Sequence, residues 1–446
     1  MTKNQIRRLS VRSLLLSLAL ALCLSPLLFV SGCAEDKDAD ADANAPVAHS
    51  GDQITLYVYN WGEYISDGSE GTDDTNAMFE EWMAEQGYDV KVNYSTYVSN
   101  EALYAKIQSG TVNYDVIVPS DYMISRMIAE DLLVSFDEID YKMQSLGNLR
   151  EGFYDASYEG TLPASADDYP YVAYDPACKY SVPYMYGMVG IIYNTEMIAE
   201  DDPSLGSWKL MWDERHAGNI LQFNNPRDAF GTAQYYLGID VNTQDEAEWR
   251  AALDKLKEQK PILQGYVMDE IYNKMENGSA GIAAYYAGDY LTMYENNESL
   301  EFFYPEEGTN LYVDAMCIPK SSQNKEIAAM YIDFMLQKDP AIANALYTYY
   351  ASPNKEVVDD EGYMEEMNAI KEDAYDKMYP NLEGMETSSY QNLPEEKLLL
   401  LNSLWEELKS DVTVSGGIYI LCGVIVAGLI GLWIFFAARK KIRNIY

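Results

Sequence analysis

Only two histidines occur in this chain, His49 and the His216 of "DERHAG", so a Ser-His-Asp triad is disfavoured and His216 reads most simply as a helix-end residue. No spaced cluster of Cys or His offers metal ligation, and no glycine loop suited to cradling phosphate is present, so neither metal nor cofactor is expected. Carboxylates are abundant. With 71 Asp and Glu in 446 residues, however, a pair of them says little, and a glycosidase reading has nothing specific to rest on. Rings remain: 39 tyrosines and 7 tryptophans exceed what a surface coat requires. The run "LYVYNWGEY", Leu56 to Tyr64, ends a strand with Trp61, Gly62, Glu63 and Tyr64, where a plain turn would serve. Rings in such excess suit recognition, so binding rather than catalysis is the chemistry to look for.

The charge distribution points the same way. Eight of the 31 basic residues sit at the two ends (Lys3, Arg7, Arg8, Arg12; Arg439, Lys440, Lys441, Arg443), which leaves 71 acids against 23 bases between them. Such a surface repels nucleic acid and attracts cations. Residues 1–33 combine a basic start, an apolar run from Leu14 to Val30 and "VSGC", which reads as a secretory signal with a bacterial lipobox whose Cys33 is lipidated. The alternatives are an ordinary signal with a chance Cys, or a first segment that stays uncleaved. Residues 34–52 form an acidic tether. From Val412 to Ala438 no charge occurs over 27 residues, enough for a transmembrane helix, and the basic residues after it place the tail 439–446 in the cytoplasm and residues 34–411 outside. In that oxidising compartment Cys178 and Cys317 are left over, as a disulfide or as two separately buried thiols.

The middle of the chain alternates short β-rich runs with amphipathic helical ones, an α/β pattern. Strands are expected at Ile54–Trp61, Val90–Tyr94, Asp115–Pro119, Val189–Tyr193 and Ala280–Tyr285, and "GNILQF" reads as another. Helices are expected at Thr75–Gln86 after Asp74, Asn100–Ser109, near Trp208–Glu214, Arg227–Leu237, Gln244–Gln259, Asn324–Leu336, Pro340–Tyr350, Val358–Met378 and Pro394–Ser410. The loop-rich passage 151–181 looks like a crossover between domains. Pro119-Ser120 begins a loop at a strand's carboxyl end, where open α/β sheets hold ligands. Asp314 falls on a strand with apolar neighbours, and a buried acid needs a cation or donors.

These motifs, in this order, carry a resemblance: "LYVYNWGEY", "VNYSTYVSNEALYAKIQSG", "YDVIVPSDYMISRM", "YSVPYMYGMVGIIYN", "NNPRDAFG", "YAGDY", "EEGTNLYVDAMCIPKSSQNKEIAAMYIDFML" and "YYASPNKE". Over roughly residues 54–380 the chain resembles the spermidine/putrescine-binding proteins of bacterial polyamine ABC importers. The resemblance implies a two-lobed periplasmic-binding-protein fold with hinge crossovers, closing on a polyamine and delivering it to a permease with its ATPase. The expected division is 53–175 with 286–345 in one lobe and 176–285 with 346–411 in the other. By motif, Trp61 would lie along the methylenes, Glu63 and Tyr64 would meet a terminal amine, with Gly62 permitting the turn, and Ser120 and Tyr122 would be contacts at a strand end. Asn225 stands where relatives carry an acid, Asp228 keeps an acid three residues later, Tyr286 replaces a usual Trp, and Asp289 aligns with an amine-binding Asp. Asp314 completes the expected set; the loop acid Asp121 is left out of it.

The expected function is thus a surface-anchored, non-catalytic polyamine-binding subunit of an ABC importer. The Asn225 and Tyr286 departures leave room for another cationic metabolite, and a sensor feeding a signalling complex is the alternative from a different class. An anchored hydrolase is disfavoured by the scarcity of histidines.

Overall fold

A computed structural model describes residues 52–410. The expectations for Cys33, the tether up to residue 51, the apolar segment 412–438 and the basic tail lie outside the described residues. Among those described, no helix is long and apolar enough to cross a membrane.

Among the described residues ten strands make up the sheet: β1 Ile54–Trp61, β2 Val90–Tyr97, β3 Val116–Ile117, β4 Ser181–Asn194, β5 Ile220–Phe223, β6 Leu263–Val267, β7 Ile282–Tyr286, β8 Leu300–Phe303, β9 Thr309–Cys317 and β10 Thr387–Ser388. They run in the order β2-β1-β3-β9-β4-β7-β5-β6, with β8 on β4 and β10 on β9. Within each half the outer strands pair in parallel, which requires helical crossovers and yields the α/β alternation expected from the sequence.

One strand joins the halves. β4 is 14 residues long; Ser181–Met188 pair antiparallel with β9, and Val189–Asn194 then pair with β7 and β8. The strand expected from the sequence spans only Val189–Tyr193; the part that precedes it contains Pro183 and Gly187. A bulge between Pro183 and Met185 accommodates the proline without breaking the pairing. β9 carries the chain back beside it, buried at every position. Ala351 accepts the backbone N–H of Tyr186 at 2.9 Å, a third tie at the same junction.

Most expected helices form, with local reasons that can be named. Thr75–Glu85 starts where Asp74 accepts the N–H of Ala77, and Asn100–Ser109 is capped by Ser99 and closed by Gly110 in the left-handed region. Pro226–Leu237 has Asn225 as its cap and a proline in its first turn, the position where a missing N–H costs nothing. Glu246–Gln259 buries Trp249, Leu253 and Leu256, and Glu395–Ser410 packs Leu401, Leu404 and Leu408 into the same satellite core.

Several expectations need correction. The helix near Trp208 is two short 3₁₀ turns, Trp208–Trp212 and Glu214–His216, each started by a capping side chain, Ser207 and Asp213. The long helix expected over Val358–Met378 is three pieces, Lys355–Val358, Glu361–Ile370 and Ala374–Met378, because Asp360 caps a new start and Lys371 turns extended. Residues 286–303 pack with the second half rather than the first: β7 ends at Tyr286, Ala287–Asn296 is helical, and β8 pairs with β4. The return to the first half comes at β9. Of the two alternatives for Cys178 and Cys317 the second holds: they are separately buried free thiols, not a disulfide. Cys178 Sγ faces the Phe153 carbonyl (3.9 Å) and Cys317 Sγ that of Ala315 (3.6 Å), so each is satisfied separately inside apolar packing.

Candidate functional site

The carboxyl end of β1 and the starts of several helices meet at one cleft between the halves, about 950 Å³ with open solvent included. All ten residues singled out from the sequence line it: Trp61, Glu63, Tyr64, Ser120, Tyr122, Asn225, Asp228, Tyr286, Asp289 and Asp314. Among the described residues the lining holds seven carboxylates and ten aromatic side chains against a single base, Arg227.

Asp314, 5 % exposed, occupies the first-half wall. Ser120 Oγ donates to its Oδ1 at 2.6 Å and Tyr64 donates its hydroxyl to Oδ2 at 2.7 Å. Burial pushes its pKa up to about 6 against the pull of those two donors. Ser120 therefore does not cap the helix Asp121–Ala129 that it precedes; its hydroxyl serves Asp314 and accepts from Asn100 Nδ2 at 3.0 Å. Asn100 also donates to the Tyr122 hydroxyl, which donates to Glu101 (3.0 Å). Trp61 is fixed by its Nε1–H on the Val118 carbonyl (2.9 Å) and by a tilted contact with Tyr97 at 4.5 Å. This leaves it half-buried on the cleft rim.

The tip after β1 differs from expectation. Glu63, not Gly62, takes the left-handed conformation (φ 48°), a strain of about 1 kcal/mol for a residue with a Cβ. Gly62 instead lies opposite Asp269 of the second half, whose Oδ2 would be 3.8 Å from an added Cβ. Glu63 itself is exposed, held only by a long contact from the Tyr347 hydroxyl (3.4 Å).

On the second half, Asp289 accepts the Tyr272 hydroxyl at 2.7 Å and the Tyr350 hydroxyl at 2.9 Å. Burial pushes it up to about 7, and the Asp269 and Glu63 charges add to the rise. Asp228 accepts Tyr286 Oη at 2.6 Å and Asn225 Nδ2 at 2.7 Å, and burial raises it too. Asn225 also caps the helix by accepting the N–H of Asp228 at 2.8 Å. The amide at the position where an acid was expected thus orients the remaining acid.

Sequence reasoning missed Asp121, Asp269, Tyr272, Tyr312, Tyr350 and Tyr390, all in the cleft wall. Asp121, read as a loop acid, is 3 % exposed at the first turn of its helix. Its position beside Ser120 and Tyr122 in "VPSDY" was the available signal. Metal chemistry has one geometric candidate among the described residues, Asp202 with Asp213 and His216. There Arg215 already reaches between the two carboxylates, 2.9 Å from Asp202, and answers their charge.

Two α/β halves joined by a continuous strand around an acid- and ring-lined cleft define a solute-binding protein. The chain matches the bacterial extracellular solute-binding proteins over residues 77–372 and belongs to that family. The spermidine/putrescine-binding periplasmic protein of Salmonella typhimurium is 30% identical over 308 residues, covering 69% of this chain and 80% of that one. Among solved structures, a Listeria monocytogenes protein assigned to spermidine/putrescine ABC transport superposes with a TM-score of 0.66 at 32% identity, over 80% of this chain and 99% of that one. The substrate-binding protein PotD of Streptococcus pneumoniae gives 0.61 at 30% identity, over 80% and 98%.

Proposed function

We propose that the protein is the polyamine-binding subunit of an ABC importer, held at the outer face of the membrane and handing its ligand to a permease driven by an ATPase. The observation that carries this is the placement of Asp314, Asp228 and Asp289. Each is fixed by neutral side-chain donors, and among the described residues no base forms an ion pair with it. Ammonium groups spaced along a methylene chain answer that pattern, and Trp61 and Tyr286 present faces to the chain and its charges. A desolvated ring contributes about 2 kcal/mol toward the roughly 8 kcal/mol of micromolar binding, so several rings and acids must act together. The ten residues singled out from the sequence are proposed as ligand contacts, the lobes as 52–188 with 309–348 and 189–303 with 395–410. Anchoring is proposed through lipidated Cys33, the segment 412–438, or both.

Calorimetry on the purified protein with putrescine, spermidine and spermine tests the reading. Binding of at least one at micromolar to submillimolar concentration is expected; no binding of any at millimolar concentration would sink it. Adjacent permease and ATPase genes would separate importer from sensor.

A second test leaves every charge in place. A Cβ added at Gly288 would lie 2.2 Å from the Tyr350 ring, whose hydroxyl holds Asp289. Gly288→Ala should displace that ring, weaken polyamine binding several-fold and lower the melting temperature by a few degrees. Unchanged calorimetric affinity would show that Tyr350 does not set the position of Asp289.

A further inference from the structure

Beside the cleft lies another cavity, about 920 Å³ with open solvent included, between the helix Asp121–Ala129, residues 162–174 and residues 389–392. Much of its wall is apolar, with Ile128, Leu162, Pro163 and Ala173 among the lining side chains. Asp121 and Tyr390 line both spaces.

Asp121 is only 3 % exposed. Its Oδ1 accepts the N–H of Tyr122 at 2.6 Å and the Val313 N–H also acts on the carboxyl, whereas its Oδ2 has no close hydrogen-bond partner among the described residues. The hydroxyl of Tyr174, a residue 5 % exposed in the same cavity wall, has none either. A buried polar atom left unsatisfied is costly, more so when charged, so two of them in one wall are an observation that a donor from outside the chain would answer. Arg227, whose charge acts on Asp121, does not reach it with a hydrogen bond: it donates to the Val241 carbonyl (2.9 Å), to Asn242 Oδ1 (2.7 Å) and more weakly to the Gln391 carbonyl (3.4 Å), and stacks 4.4 Å over the Tyr390 ring.

We propose that this cavity is a side chamber of the ligand cleft that takes the far arm of a long aliphatic polyamine, its methylenes on the apolar wall and its terminal ammonium donating to Asp121 Oδ2 and Tyr174 Oη. The proposal rests on the polyamine reading of the cleft. A ligand anion is excluded by the Asp121 carboxylate, and a sugar would leave its hydroxyls against apolar side chains. An alkylammonium satisfies both the wall and the carboxylate. For this the ligand chain must pass Asp121 and Tyr390, the two residues common to both linings. The chamber would therefore select for length: a four-carbon diamine is held by the cleft acids alone, and a tetra-amine uses both.

Calorimetry of the purified protein with putrescine and spermine tests this. Ala173→Trp adds bulk to the chamber from a residue outside the cleft lining, and should weaken spermine at least tenfold while leaving putrescine within twofold. Asp121→Asn, which keeps the shape and removes the charge, should weaken spermine at least fivefold more than putrescine. The chamber is overturned if Ala173→Trp leaves spermine unchanged or weakens both amines equally, or if the unmutated protein binds putrescine but not spermine. If the unmutated protein binds neither amine, the polyamine reading fails first and takes the chamber with it.

Discussion

Asp289→Asn should weaken polyamine binding at least tenfold. Both oxygens of Asp289 accept tyrosine hydroxyls, from Tyr272 and Tyr350, so the amide would turn an NH₂ group against one of two donors as well as removing the charge. A hydrogen bond to a charged group contributes about 1.5–3 kcal/mol, and tenfold corresponds to about 1.4 kcal/mol. The effect also has a pH signature. Burial raises Asp289 to about 7 and Asp314 to about 6 in the ligand-free protein, whereas an ammonium favours the ionised form of each. Below these values a carboxyl must release its proton for the cation to bind. Affinity should therefore rise from pH 5 to pH 8 and then level, with protons released on binding near pH 6 in calorimetry across buffers of different ionisation enthalpy.

The same shifts govern stability with the opposite sign. A carboxyl whose pKa is raised on folding contributes stability at acid pH, below its unfolded value near 4, and loses it as pH rises through 6 to 7. A bound ammonium restores the balance, so the ligand-induced rise in melting temperature should be larger at pH 8 than at pH 5. In Asp289→Asn the step near pH 7 should vanish and the one near pH 6 remain. An affinity that stays flat from pH 5 to pH 8 would remove both acids from the ligand.

The largest loss of stability is expected far from the cleft, at Asp115. This carboxylate, 2 % exposed, accepts the N–H of Tyr57 (3.0 Å), Ser322 Oγ (2.7 Å), the N–H of Asn324 (3.2 Å) and Asn324 Nδ2 (3.1 Å). It ties β1 and the entry to β3 to the start of the helix Lys325–Met335, segments more than 200 residues apart. Asp115→Ala would strand several buried donors at once, a cost of about 3–5 kcal/mol measured by urea unfolding. Because the residue lies outside the cleft lining, polyamine affinity of the protein that remains folded should change little. A loss under 1 kcal/mol would show that water replaces the carboxylate.

Much of this was legible before any fold was known. The helices at Thr75, Asn100 and Glu246 carry their own start signals, Asp74, Ser99 and Asp245, so local chemistry sufficed to place them. The cluster after β1 was legible for a similar reason, since Trp61, Glu63 and Tyr64 share one strand end and reach one cleft. Where several local patterns competed, reading failed. The helix Ala287–Asn296 begins with no capping side chain and was missed, and the acid-rich run after Val358 looked continuous although Asp360 restarts it.

The sequence by itself determined the chemistry: acids and rings in excess, no usable set of catalytic histidines, and an alternation that only an α/β fold satisfies. Periodicity and caps act over a few residues, so they can be read along the chain. Tertiary structure alone decided which acids share a cleft, that Cys178 and Cys317 stay apart, that β4 bridges both halves, and that Asp121 is buried with one free oxygen. Tyr64 meets Asp314 across 250 residues of chain, and Tyr350 meets Asp289 across 61. Such pairings follow from how helices and strands pack, and no local pattern of residue types encodes them.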